Sequence, residues 1–269
     1  MRSRSKTLAD TRHGSLSIRF SGSGVDVVAL HGFSLTGRQF ERFAAAGTLT
    51  VAAPDLPGHG ATTISPVDLT TTVAALGEWL ETFDRPIPVL GYSQGGRIAL
   101  VLATSRPHLV ERLILISATP GIRDEAQRAS RAAADADLAA SLLADGLSAF
   151  LDRWLDHPLV GTASMPPSVR VADRRVREEN SAAGLAAALT GFGQGSQRWV
   201  SGRLSDLPMP LLAVAGARDV RYTRIAGEMA AAVPNGRVVV IEDSGHNVVL
   251  EAPERLAEAV DSFLSARLD

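Results

Sequence analysis

The sequence predicts an α/β fold, with a mostly parallel sheet, helices on both of its faces and a helical cap inserted between strands. Three observations predict it. Short apolar runs alternate with helical patterns in the first half of the chain, the same alternation returns near the C-terminus, and the segment between contains no β-branched run. We therefore predict a core formed by 1–120 and 206–269 and a cap, or lid, formed by 121–205.

The predicted elements follow in order along the chain. The strands are Ser15–Phe20, Val25–Leu30, Leu49–Ala53, Ile87–Leu90, Leu113–Ser117, Leu211–Ala215 and Val238–Ile241. The helices of the core are Leu69–Phe83, Gln94–Ser105, Tyr222–Ala232 and Pro253–Leu268. The cap is predicted to contain Glu125–Ala144, Leu147–His157 before Pro158, Pro167–Glu179 and Ala182–Phe192.

Composition excludes several classes of protein. The chain has 269 residues, 27 basic and 29 acidic side chains, a net charge of −2 and no cysteine. This balance offers no basic surface to nucleic acid, and the lack of cysteine excludes disulfides and thiolate metal sites. No apolar stretch reaches the roughly 20 residues that span a bilayer, and Asp10, Arg12 and His13 stand where a signal peptide needs apolar residues. We expect a cytoplasmic globular protein without a nucleic-acid or membrane partner; the sequence carries no signal for an oligomeric state.

A catalytic serine is predicted by the segment Gly91-Tyr92-Ser93-Gln94-Gly95-Gly96. This G-x-S-x-G motif lies between a predicted strand and a predicted helix, where a sharp turn exposes the serine at its apex. The flanking glycines fit because a Cβ would collide with the adjoining strand and helix. Ser93 is therefore the candidate nucleophile or base.

The partners of Ser93 are predicted from the ends of other strands. Leu30-His31-Gly32-Phe33 follows an early strand, so the backbone N–H groups of Phe33 and Gln94 are candidates for an oxyanion hole. Asp219 and His246 each follow a late strand, and the chain order Ser93, Asp219, His246 suits this motif. Asp243 is a competing acid, but it lies close to His246 in sequence, and Asp219 is favoured. Asp55 is interpreted as a structural residue that fixes its loop.

With these motifs the chain resembles the α/β-hydrolase superfamily. Much of it is similar to one family there, the 2-succinyl-6-hydroxy-2,4-cyclohexadiene-1-carboxylate (SHCHC) synthases of menaquinone biosynthesis. The residues that carry this likeness are Leu30–Phe33, Pro54–Gly60, Gly91–Arg97, Ser117–Ile122, Arg128, Arg131, Phe150–Trp154, Pro158, Leu159, Arg177, Asn180, Leu185 and Ala186.

The resemblance implies a lyase that removes a proton from 2-succinyl-5-enolpyruvyl-6-hydroxy-3-cyclohexene-1-carboxylate and eliminates pyruvate to leave SHCHC. Ser93, His246 and Asp219 would form the catalytic triad. Arg97, Arg131 and Arg177 would bind this small tricarboxylate, because guanidinium groups pair with carboxylates through two parallel hydrogen bonds. Tyr92 and Trp154 would shape the pocket. Neither a metal nor an organic cofactor is implied.

Three positions depart from that family, and they keep an alternative open. The family commonly has Trp where Phe40 stands, Leu or Met where Gln94 stands, and Phe where Val160 stands. The alternative is an esterase or a carbon–carbon bond hydrolase of the same fold that acts on a small acidic substrate with the same triad. A non-catalytic ligand-binding protein is disfavoured because all three triad residues are present, and a haloalkane dehalogenase because Ser rather than Asp occupies position 93.

Overall fold

Strands in the computed structural model, which describes residues 5–157, 160, 162 and 165–266, form a single sheet. They are β1 (Ser5–Thr11), β2 (Gly14–Phe20), β3 (Val27–Leu30), β4 (Val51–Pro54), β5 (Ile87–Tyr92), β6 (Val110–Ile116), β7 (Leu211–Gly216) and β8 (Gly236–Ile241). Within the described residues the sheet has eight strands in the order β1-β2-β4-β3-β5-β6-β7-β8. β2 is antiparallel to both β1 and β4, whereas β3 to β8 run parallel.

Helices connect the parallel strands and cover both faces of the sheet. They are α1 (Glu41–Ala46), α2 (Leu69–Leu80), α3 (Gln94–Ser105), α4 (Glu125–Trp154), α5 (Pro167–Arg177), α6 (Ala182–Phe192), α7 (Val220–Ala232), α8 (Val248–Glu251) and α9 (Pro253–Ser265). Leu76 of α2 and Ile98 of α3 are buried in the cluster on one face, and Phe43 of α1 and Leu256 of α9 in the cluster on the other. The predicted α/β fold class is confirmed.

Three elements were not predicted from the sequence: β1, α1 and α8. β1 has few apolar residues and is largely exposed, because it lies at the edge of the sheet and is held by antiparallel pairing with β2. α1 and α8 have only 6 and 4 residues, too short to show a helical period. Among the described residues, no helix is both long and apolar enough to cross a membrane.

The segment between β6 and β7 is helical, as its composition predicted. Gly146 has a φ of 80° and a ψ of 167°, and this break divides α4 into two pieces close to those expected. Leu142, Phe150 and Leu185 pack together in a small apolar cluster that joins α4 to α6. The boundary between core and cap stays a prediction. Pro158, Leu159 and the last two residues of the predicted C-terminal helix lie outside the described residues.

Asp55, directly after β4, fixes the loops that adjoin it. Its side chain is fully buried and accepts hydrogen bonds from Ser17 Oγ at 2.9 Å, from the Gly37 N–H at 2.9 Å and from the Ala61 N–H at 3.3 Å. The next residue, Leu56, donates its N–H to His31 Nε2 at 2.8 Å. The loop after β4 thus holds the loop after β3, which contains Phe33.

Replacing Asp55 with Ala is expected to lower the free energy of unfolding by about 3 kcal/mol or more, because buried donors lose a charged acceptor. Urea denaturation followed by circular dichroism measures this change. Exposed Asp10, which accepts one hydrogen bond from Ser15 Oγ at 2.6 Å, provides the control. Asp10→Ala should cost less than about 1 kcal/mol; equal losses for the two variants would contradict the assignment of Asp55.

Candidate active site

Ser93 occupies a strained turn between β5 and α3. Its φ is 51° and its ψ is −108°, a conformation that costs a residue other than glycine on the order of 1–3 kcal/mol. The turn is held by the Ser93 N–H, which donates to the Ile116 carbonyl at 2.8 Å. A Cβ at Gly95 would overlap the carbonyl oxygen of Leu30, so glycine is required for α3 to begin this close to β3. The chain therefore exposes the Ser93 hydroxyl at the carboxyl edge of the sheet.

Ser93, His246 and Asp219 lie in a single hydrogen-bonded row. The Oγ atom of Ser93 lies 3.1 Å from Nε2 of His246, and Nδ1 of His246 lies 2.8 Å from Oδ2 of Asp219. The other oxygen of Asp219, Oδ1, accepts the N–H of Tyr222 at 3.1 Å at the start of α7. Both carboxylate oxygens are thus fixed. The structure brings Asp219 to His246, whereas no hydrogen bond joins Asp243 to His246 among the described residues.

The charge state of Asp219 sets the tautomer of His246. Burial acts to raise the pKa of Asp219, but hydrogen bonds from His246 and Tyr222 outweigh it and hold that pKa below its ordinary value. An ionised carboxylate only accepts hydrogen bonds, so Nδ1 of His246 carries the proton. Nε2 is then free to accept the proton of the Ser93 hydroxyl, which is the arrangement of a general base.

Two residues that line one cavity with Ser93 have backbone donors without an acceptor among the described residues. Neither the N–H of Phe33 nor that of Gln94 donates to any group in the described part of the chain. The loop that carries Phe33 is held on one side by Ser34, whose N–H donates to His59 Nε2 at 3.3 Å. On the other side, the ring of Phe33 meets the edge of Trp154 at 5.5 Å. This arrangement can stabilise a negatively charged oxygen beside Ser93.

A cavity opens over this row of residues. Of the predicted site residues, all except Asp219 line it: Phe33, Tyr92, Ser93, Gln94, Arg97, Arg131, Trp154, Arg177 and His246. The sequence interpretation missed Tyr222, whose ring meets the edge of His246 with 4.5 Å between centroids, and Asp135 and Ser117, which also line the cavity. In the described residues, no group of three or more acidic, histidine or cysteine side chains could hold a metal ion.

Arg97, on the first turn of α3, is a buried cation in the wall of the cavity. It donates to Gln197 Oε1 at 3.0 Å and to the carbonyls of Phe192 and Gly193 at 3.1 and 3.3 Å. Burial lowers its pKa to about 10, so the side chain remains charged at neutral pH. Among the described residues it forms no ion pair, which leaves its charge available to an anion.

The other two predicted arginines are each paired with a buried acid. Arg131 contacts Asp135 with both Nε and Nη2 at 2.8 Å. Arg177 is buried, contacts Asp173 at 2.7 Å through Nε and also donates to Ser34 Oγ. These two ion pairs were not predicted from the sequence, although a spacing of four residues along a helix indicates both. The cavity is therefore less positive than three unpaired arginines would make it.

Known proteins resemble this chain in sequence and in structure. Residues 27–259 match the model of the alpha/beta hydrolase family. The chain belongs to the alpha/beta hydrolase family. A Bacillus subtilis protein, provisionally named a SHCHC synthase, is 32% identical over 219 residues, which are 79% of this chain and 80% of that protein. The SHCHC synthase of Salmonella agona is 29% identical over 244 residues, 88% of this chain and 93% of its own length.

A solved structure is also similar to this chain. MenH from S. aureus superposes with a TM-score of 0.86 at 29% identity, covering 92% of this chain and 97% of that one. The family match and the similarity to these synthases support the conclusion that this chain is an enzyme. The predicted resemblance to the SHCHC synthases is confirmed.

His31 and His59 support the Phe33 loop as neutral, buried residues. Their rings meet with 4.9 Å between centroids. Burial lowers the pKa of His31 to about 4, and burial together with the neighbouring His31 lowers the pKa of His59 to about 3. A proton on Nε2 of either ring would face the backbone N–H that this nitrogen accepts, that of Leu56 or of Ser34.

We expect the protein to lose stability as the pH falls from about 6.5 toward 4. In that window the unfolded histidines, with a pKa of about 6.5, bind protons that the folded ones do not. Each histidine should cost on the order of 2 kcal/mol at pH 5 relative to pH 7.5. Urea denaturation at several pH values measures the dependence for the native chain and for His59→Gln.

The variant His59→Gln should show a weaker dependence on pH, by on the order of 2 kcal/mol across this window. His108→Gln, at an exposed histidine, is the control and should follow the native chain. An unchanged pH dependence in His59→Gln would argue against a neutral buried His59.

Proposed function

We propose that this enzyme eliminates pyruvate from 2-succinyl-5-enolpyruvyl-6-hydroxy-3-cyclohexene-1-carboxylate to give SHCHC, a step of menaquinone biosynthesis. The similarity to SHCHC synthases supports the proposal. The observation that carries it is Arg97, a buried cation without an ion pair among the described residues, in the same cavity as Ser93 and His246. A simple ester does not need such a cation, whereas a substrate with three carboxylates does.

The cavity wall offers the substrate several donors, and one of them, Arg97, is a cation that forms no ion pair in the described part of the chain. Arg97 is proposed to bind one carboxylate, with Arg131 and Arg177 beside it as weaker, partly neutralised cations. Trp154 contributes a further donor, because its Nε1 atom is buried and has no hydrogen-bond partner in the described part of the chain. Its ring is fixed by stacking on Phe150 with 5.5 Å between centroids. These groups suit carboxylate and carbonyl oxygens.

The reaction begins with loss of a proton from ring carbon C2, which lies α to the succinyl carbonyl. Ser93 Oγ, hydrogen-bonded to Nε2 of His246, is proposed to take this proton, directly or by relay to the imidazole. The electron pair moves toward the succinyl carbonyl oxygen and gives a dienolate. As the carbonyl forms again, C2=C3 and C4=C5 double bonds form and the C5–O bond breaks. Pyruvate leaves as its enolate and takes up the proton that His246 held.

The charge that develops on the substrate suits the two backbone N–H groups that lack an acceptor among the described residues. During proton removal, negative charge accumulates on the succinyl carbonyl oxygen, and the N–H groups of Phe33 and Gln94 are proposed to bind it. Donors already in position stabilise such charge without reorganisation. No ester is cleaved, so no acyl-enzyme forms, and the triad acts through proton transfer alone. The substrate is a small molecule, the proposal involves neither nucleic acid nor membrane, and a cytoplasmic location stays a prediction.

Purified protein is expected to release pyruvate from this substrate, and Ser93→Ala is expected to lower kcat by about 10³-fold or more, because it removes the base. The substrate is generated in situ, pyruvate is followed with lactate dehydrogenase and NADH, and the diene is followed by its absorbance. A nitrophenyl ester serves as the control substrate. Ester hydrolysis without pyruvate release would reject the lyase and favour the hydrolase of the same fold.

Arg97→Met is expected to lower kcat/KM for pyruvate release by about 10²-fold, through loss of a charge-assisted hydrogen bond to a carboxylate. Arg128→Met is the matched control, because Arg128 lies on α4, does not line the cavity and pairs with Glu125 at 3.8 Å. Thermal unfolding of both variants separates binding from stability, since Arg97 also holds backbone carbonyls. Similar kinetics for the two variants would remove Arg97 from the substrate site.

A further inference from the structure

The carboxamide of Gln94 is an unexplained polar group in the catalytic cavity. Gln94 is the first residue of α3, is only 3% exposed and lines the cavity. Its Oε1 atom is buried and has no hydrogen-bond partner among the described residues. Buried acceptors in native proteins are nearly always satisfied, so one that lacks a partner at a cavity wall indicates a group supplied by a ligand or by water.

This acceptor stands among donors. The side chains of Arg97, Arg131 and Arg177 and the indole N–H of Trp154 all donate, and all line the same cavity. Asp135 also accepts, but Arg131 and the N–H of Gly195 already occupy its two oxygens at 2.8 and 3.1 Å. The hydroxyl of Ser117 is also buried without a partner in the described part of the chain. A hydroxyl both donates and accepts, so it does not select between ligand groups.

The substrate of the proposed function has one neutral donor. At neutral pH its three carboxylates, its ketone and its ether only accept hydrogen bonds, whereas the hydroxyl on ring carbon C6 donates. Building on the proposed function, we propose that Gln94 Oε1 accepts the hydrogen bond of this ring hydroxyl and so selects a hydroxylated ring. Gln94 is then a specificity-determining residue through its side chain, in addition to the role proposed for its backbone N–H.

The side chain and the backbone N–H of Gln94 can serve both proposed roles, because the hydroxyl and the succinyl group lie close together on the substrate ring. The hydroxyl is on C6 and the succinyl group is on C2, with only C1 between them. A residue whose N–H meets the succinyl carbonyl oxygen therefore has the hydroxyl within reach of its side chain. Holding the hydroxyl would also fix the adjacent C5, from which pyruvate leaves.

A matched pair of ligands isolates this contact. SHCHC carries the hydroxyl; 2-succinylbenzoate, the aromatic compound that SHCHC becomes on loss of water, lacks it and keeps both carboxylates and the ketone. Isothermal titration calorimetry gives the Kd of both ligands for the native chain and for Gln94→Met, which keeps the length and buried character of the side chain. The ratio of the Kd for 2-succinylbenzoate to the Kd for SHCHC is expected to be about tenfold larger for the native chain than for Gln94→Met.

Gln194→Met is the control, because Gln194 lines the same cavity but is only partly buried, so water can satisfy its amide. Its preference between the ligands should equal that of the native chain. Gln94→Met should bind 2-succinylbenzoate within about twofold of the native affinity if only the hydroxyl contact is lost. Its kcat/KM for pyruvate release should fall about tenfold.

The outcomes separate this inference from the proposed function. Pyruvate release by the native chain, together with an unchanged ligand preference in Gln94→Met, would overturn the role of Gln94 alone and indicate that water satisfies Oε1. Failure of the native chain to release pyruvate would overturn both proposals. Pyruvate release with a lost preference in Gln94→Met and a retained one in Gln194→Met is the expected result.

Discussion

The strained turn at Ser93 is the constraint on which the site depends. A positive φ at a serine is unfavourable, and here the packing of β5 against α3 and the hydrogen bond to Ile116 hold it in place. In this turn the Ser93 hydroxyl reaches His246, and the N–H of Gln94 is left without an acceptor among the described residues. A relaxed turn would lose both features at once, because they belong to consecutive residues of one backbone bend.

The loop that carries Phe33 is held by a buried polar network. Asp55 is buried among backbone and hydroxyl donors, and the neutral rings of His31 and His59 accept the N–H groups of Leu56 and Ser34. Phe33 follows this supported segment, so its own N–H is positioned without making a hydrogen bond to the described protein. The site thus combines a strained turn with a loop held by a buried polar network, and each carries one of the two backbone donors proposed for the oxyanion position.

Among the described residues, two of the three arginines in the cavity are paired with acids, so the cavity carries less positive charge than the number of arginines suggests. Arg131 and Arg177 each stand four residues from an acid on the same helix, which fixes their side chains before a ligand arrives. Arg97 instead rests on carbonyl oxygens, which orient the guanidinium without cancelling its charge. Pre-oriented cations lower the entropy lost on binding, and Arg97, which forms no ion pair among the described residues, adds a positive charge to the cavity wall.

The sequence by itself determined the fold class, most strands and helices, and the identity of Ser93, Asp219 and His246 as candidates, because alternation, periodicity and a local turn motif are all written within short segments. Only the tertiary structure decided the edge strand β1, whose formation depends on pairing with β2 rather than on its own composition. It also decided that Asp219 rather than Asp243 contacts His246, that Tyr222 packs on that ring, and that Gln94 Oε1 is left without a partner among the described residues. Each of these outcomes depends on residues far apart in the chain. Whether such residues meet is set by the packing of strands and helices, and a pattern within one short segment does not contain that information.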